Sequence, residues 1–137
     1  TDISIKSILV AKQNAAKFYC ENIIFLNHDW NNEWLFPQVD YLISNPPYVD
    51  KEATSGKEEG IWHEPEIALF SKDKGLSDLK LILSKGKNFL NENGKVYLEH
   101  APDQYEELNK FAMENGYLNF SNLNDLNGDK RVSIYQC

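Results

Sequence analysis

The chain has 137 residues, 42% of them hydrophobic and 12% aromatic, which suits one domain with its own core and excludes a disordered chain. A net charge of -7 disfavours a nucleic-acid partner, because a duplex would meet repulsion rather than a basic stripe. Cys20 and Cys137 have no ligand-like spacing, His28, His63 and His100 are scattered, and no run reads as a signal peptide or a membrane span. The expectations are therefore no metal, no membrane association and a reducing cytoplasm as the location.

Thr1-Asp2-Ile3-Ser4 leads into an apolar stripe of Ile5, Ile8, Leu9, Ala15 and Ala16 near helical spacing, with Ser4 placed as the cap. Asp2 then lies in a strand-to-helix turn and has two readings. It helps cap the helix, or, at the carboxyl end of a second strand in an open α/β sheet, it takes ribose hydroxyls. Residues 22–27 are β-branched and aromatic enough to read as a strand ending in His28-Asp29-Trp30. Asp29 reads either as a turn residue or as an acceptor for an adenine amino group. Trp30 reads either as a core aromatic or as a stacking face for the ring. Trp34, Leu35 and Phe36 are expected to pack inward.

The run Val39-Asp40-Tyr41-Leu42-Ile43-Ser44 reads as a buried strand that stops at Asn45-Pro46-Pro47-Tyr48. Pro46 biases Asn45 toward extended backbone, and the two rings remove two N–H donors, so the turn offers oxygens with little competition. An amide or exocyclic amine is a poor nucleophile because its lone pair is delocalised. If the Asn45 side-chain oxygen and the Pro46 carbonyl both accept from one NH2 group, they orient it and favour positive charge on its nitrogen. Tyr48 would pack on the planar group. A mobile loop is expected over residues 50–60, around Ser55-Gly56.

Downstream, Gly75 opens a helix bearing Leu76, Leu79, Ile82, Leu83, Phe89 and Leu90, stopped by Asn91-Glu92-Asn93-Gly94. Lys95 to Glu99 is the next strand. Pro102 starts a helix carrying Tyr105, Leu108, Phe111 and Ala112 that ends at Asn115-Gly116. Residues 117–123 and 131–136 read as strands joined by a turn-rich segment, an antiparallel terminal hairpin.

Asn45-Pro46-Pro47-Tyr48 resembles the motif of amino-group methyltransferases that use S-adenosylmethionine. Glu64-Pro65 followed by Ala68-Leu69 resembles the segment found after that motif in the protein-(glutamine-N5) methyltransferases of peptide chain release factors. Asp-Leu-x-Gly-x-x-Arg-Val at positions 125–132 is similar to their C-terminal strand pair. The resemblance implies an α/β fold: a Rossmann-like class I methyltransferase sheet, incomplete because the first two strands and the Gly-rich loop are absent, with an antiparallel terminal strand pair. Residues 1–137 would be part of a catalytic domain. Asn45, Pro46, Pro47 and Tyr48 would be the catalytic turn, and Asp2, Asp29, Trp30 and Asn45 would line the cofactor site.

Two features depart from that family. All seven glycines lie at Gly56 or later, and Glu99-His100-Ala101 lacks the glycines expected after the strand-ending Glu. This chain alone is therefore expected to bind S-adenosylmethionine weakly and to be inactive, with a release factor as the complete enzyme's substrate. Missing central strands would leave apolar faces and edges open, to be covered by rearranged pairing or an oligomer. The alternatives are an N6-adenine DNA methyltransferase and a non-catalytic packing module.

Overall fold

A computed structural model of the chain describes residues 1–54 and 64–137, so His63 and the greater part of the expected 50–60 loop lie outside the described residues. The chain divides into two compact units, Thr1–Phe36 and Pro37–Cys137.

In the first unit Ser4 caps α1 (Ile5–Lys17), its Oγ accepting from the Ser7 N–H at 3.3 Å. Only Ile8 and Ala15 of this helix are buried, and Ile5 and Leu9 of the expected stripe are exposed. Helical periodicity names a face, but burial needs a partner for it, and within these residues only a narrow strip is covered. The expected strand over residues 22–27 is not a ladder. Extended backbone needs a hydrogen-bonded neighbour, and the only one among the described residues is Asp2, in a single parallel bridge to Asn27. Trp34 is buried and stacks on Phe36 at 5.4 Å, whereas Leu35 between them is exposed, contrary to expectation. Leu35 lies outside the Trp34–Phe36 stack, so these three residues do not share a burial side.

The second unit contains β1 (Val39–Ser44), β2 (Val49–Asp50), α2 (Glu66–Leu69), β3 (Phe70–Ser71), α3 (Ser77–Gly86), β4 (Leu90–Glu99), α4 (Tyr105–Glu114), β5 (Asn119–Asn124) and β6 (Lys130–Gln136). Four strands make a mixed sheet in the order β1-β4-β6-β5, with β1 and β4 parallel and β4-β6 and β6-β5 antiparallel. The terminal antiparallel pair thus forms as expected. Strands β2 and β3 form a separate two-stranded parallel sheet.

One face of the larger sheet carries the core. Val96 pairs with Tyr135 and Leu98 with Ser133, all four buried, and Leu79, Ile82, Leu83, Leu108 and Ala112 of the two helices supply the other side. The last residue of α3, Gly86, has no room for a side chain, because a Cβ there would run into the Leu42 side chain. Tyr117 seals the core, its hydroxyl donating to the Leu83 carbonyl at 2.8 Å. Three expectations are corrected here. Helix α3 ends at Gly86, not at residues 91–94, and Leu90 is already in β4. Residues 91–94 lie in a register shift, with Val39 opposite Leu90 but Tyr41 opposite Lys95, and Asn93 takes a positive φ that asparagine tolerates. Finally, β1 is an edge strand with Tyr41 62% and Ile43 75% exposed, because no described element of this unit covers the face they share.

Candidate active site

The turn after β1 is set by the parallel register with β4. Ser44 lies opposite Leu98, so Asn45 and Glu99 emerge together from the carboxyl ends of neighbouring strands. Parallel strands bring such ends to one edge of the sheet, where ligands of open α/β sheets bind. Asn45 is exposed, Pro46 and Pro47 are buried, and Tyr48 is half-buried. The carboxamide is thus presented to solvent on a fixed base.

Tyr48 is held at both ends. Its hydroxyl donates to Glu99 Oε1 at 2.9 Å, and its carbonyl accepts from Gln104 Nε2 at 2.8 Å. Gln104 is buried and also donates to the Lys74 carbonyl at 3.1 Å, while its Oε1 accepts from the Ala101 N–H at 3.0 Å. Burial, reinforced by the hydrogen bond and charge of Glu99, raises the Tyr48 hydroxyl above the usual tyrosine value, and Arg131 partly offsets this. The phenol is therefore a donor at neutral pH.

Asp73, Lys74 and Gly75 are consecutive left-handed residues at φ 53°, 55° and 83°. The two with side chains cost about 1–2 kcal/mol each in this conformation. A Cβ at Gly75 would overlap the Tyr48 carbonyl, so the position requires glycine for space as well as for φ.

Behind Glu99, His100 is fully buried. Nδ1 lies 2.8 Å from the Ala101 carbonyl, which only accepts, so Nδ1 carries the proton and Nε2 accepts from Ser133 Oγ at 2.8 Å. Desolvation, with Arg131 adding to it, lowers the His100 pKa below the ordinary value, and the Ala101 bond opposes the shift. The imidazole is a neutral structural clip rather than a base open to substrate. Arg131 donates to Asp125 Oδ2 at 3.1 Å and to the His100 carbonyl at 3.4 Å. Asp125 Oδ1 closes the hairpin turn by accepting from the Asn127 and Asp129 N–H groups, and the Arg131 bond is the main cause of its lowered pKa.

The Glu64-Pro65 block is tied to the motif through the β2-β3 pair. Pro65 precedes α2, and Phe70 and Ser71 pair with Val49 and Asp50, the residues directly after Tyr48. Glu64 itself is exposed. An open groove beside this pair is balanced in charge, Asp50, Glu52 and Asp73 against Lys51, Lys72 and Lys74.

In the first unit, Asp2 Oδ1 accepts from the Ser4 N–H at 2.7 Å, so the capping role is real. Oδ2 is left without a partner among the described residues. Asn27 fixes the turn by donating from Nδ2 to the Asp2 and Ile3 carbonyls. Asp29 Oδ1 accepts from both nitrogens of Asn31, and the Trp30 carbonyl accepts from Trp34 Nε1. Two carboxylates and an indole thus lie at the carboxyl ends of two adjacent parallel segments. This donor set suits a nucleoside, with carboxylate oxygens for hydroxyl and amino groups and a flat ring face for a base. Sequence reasoning missed Glu99, Gln104 and Asn27 as supports; only the strand-end position of Glu99 gave a signal.

No family model matches the chain. It is 36% identical over 137 residues to a bifunctional methyltransferase of Rickettsia felis, an alignment covering 98% of this chain and 26% of that protein. It is 32% identical over 135 residues to the release factor glutamine methyltransferase of Francisella tularensis subsp. tularensis, covering 98% of this chain and 48% of that protein. The chain therefore spans about half or less of the length of these relatives. A methyltransferase crystal structure from Pyrococcus furiosus superposes with a TM-score of 0.68 at 16% identity, over 97% of this chain and 58% of that one, which is a likeness of fold. The chain is homologous over nearly its whole length to release factor glutamine methyltransferases and bifunctional methyltransferases.

Proposed function

We propose, with this homology as the premise, that residues 1–137 form the later part of a Rossmann-like class I methyltransferase domain. The complete protein would methylate the side-chain amide nitrogen of a glutamine in a peptide chain release factor, using S-adenosylmethionine. The cofactor supplies an electrophilic methyl group on a sulfonium. Asp2 would hold its ribose through Oδ2, and Asp29 with Trp30 its adenine. The Gly-rich loop for its methionine half is not in this chain.

Asn45 Oδ1 and the Pro46 carbonyl each accept one hydrogen of the glutamine NH2. Doing so fixes the plane of the amide and stabilises the positive charge that grows on nitrogen as its lone pair forms the new C–N bond. The cofactor, held by Asp2, Asp29 and Trp30, would supply the methyl group and keep the electrons of the methyl–sulfur bond as the leaving group. A proton leaves the nitrogen after transfer, when it has become acidic, so no strong general base is required. Tyr48 packs on the amide plane and limits its rotation.

The observation that carries this reading is the exposed Asn45 carboxamide on a buried proline pair at the end of β1. The balanced charge of the neighbouring groove favours a polypeptide over the polyanion that an adenine-modifying enzyme must bind. The test uses the full-length protein bearing this chain and offers release factor and DNA side by side with labelled cofactor. We expect label on the release factor only, and at least a hundredfold loss of kcat in Asn45→Ala with cofactor affinity nearly unchanged, about the cost of losing one aligned acceptor. Methylation retained in Asn45→Ala would refute the role, and label on DNA alone would refute the substrate.

A further inference from the structure

The Tyr48 side chain has a second attachment that amide packing does not require. Its hydroxyl reaches Glu99, fifty-one residues away in the chain, at 2.9 Å. Gln104, in the connection that follows Glu99, binds the Tyr48 carbonyl and uses its second hydrogen on the Lys74 carbonyl. The left-handed turn at 73–75 packs against the hydrogen bond to Tyr48, a Cβ at Gly75 overlapping both the Tyr48 carbonyl and Gln104 Nε2. Backbone held in a sparsely populated region beside such a turn is found where the surroundings over-determine it, often to preorganise a site.

We propose that Glu99 and Gln104 are positioning residues that clamp Tyr48, so that its ring is fixed before substrate arrives. The proposal rests on the functional reading above. A free tyrosine would sample several χ1 wells and would have to be ordered in each turnover, whereas one anchored at hydroxyl and carbonyl presents a single ring plane. Glu99 acts only through the phenol and touches no reacting atom. The effect therefore belongs in kcat rather than in cofactor binding.

Methyl transfer to release factor is measured for the full-length protein with Tyr48→Phe, Glu99→Leu, the double variant, Glu99→Gln and Asn45→Ala. Tyr48→Phe and Glu99→Leu should each lower kcat by about ten- to a hundredfold, the range for losing a hydrogen bond to a charged group, with cofactor KM unchanged. The double variant should be no worse than either single one, because both remove the same bond. Glu99→Gln, whose carbonyl still accepts from the phenol, should stay within about threefold of the unaltered protein. Wild-type kcat in Tyr48→Phe, or additive losses in the double variant, would overturn the clamp. If Glu99→Leu fails to fold by its thermal midpoint, Tyr48→Phe decides by the same criterion. Full activity in Asn45→Ala, or none in the unaltered protein, would instead overturn the functional reading beneath it.

Discussion

At the residue scale, His100 shows how a titratable group next to a candidate site can be structural. Its two ring nitrogens are both bonded and it has no exposure, so charging it would put an unscreened cation beside Arg131. Its folded pKa lies below the ordinary value of 6.5, so as pH falls the unfolded chain takes up the proton first. Its contribution to stability is present above about pH 6.5 and is lost as pH falls through the folded pKa. Urea denaturation at pH 7.5 and 5.0 should show a lower midpoint in acid, and a smaller drop in His100→Gln, which keeps a donor and an acceptor but does not titrate. Equal drops in both would show that the imidazole is not responsible.

Among the elements, α4 shows the difference between a helix that propensity allows and one that packing requires. Leu108 and Ala112 are buried with no exposure, while Met113 on the same helix is 64% exposed. Leu108→Ala should cost about 2–5 kcal/mol through lost burial and the cavity left behind. Met113→Ala should stay within about 0.5 kcal/mol. Chemical denaturation of the two variants tests this, and similar losses would mean that α4 does not pack as described. The β5-β6 hairpin is the element most tightly determined by its own chemistry, because Asp125 both closes the turn and binds Arg131 on the returning strand.

On the scale of the whole molecule, each unit carries uncovered apolar surface: Ile5 and Leu9 on α1 in the first, Tyr41 and Ile43 on β1 in the second. Such surface is where a larger fold or a partner is expected. Among the described residues no helix is long and apolar enough to cross a membrane, and no group of three or more metal-binding side chains occurs. Calorimetric titration of this chain alone with S-adenosylmethionine should give weak or undetectable binding, while the full-length protein binds. Tight binding by the chain alone would show that Asp2, Asp29 and Trp30 suffice without the Gly-rich loop.

The amino-acid sequence by itself determined what is local. Ser4 caps a helix because a hydroxyl beside an apolar stripe satisfies an orphan N–H, Pro46 and Pro47 stop a strand because they lack donors, and Asp125 to Asp129 turns because aspartate accepts from its own backbone. That Asn45 directly follows the strand, ahead of the proline pair, was legible for the same reason. Tertiary structure alone decided the rest. That Glu99 and Gln104 hold Tyr48 depends on the parallel register of two strands about fifty residues apart, which no local pattern encodes. That β1 is an edge rather than a buried strand, and residues 22–27 a single bridge rather than a ladder, depends on which neighbours are present, since a strand is defined by what pairs with it.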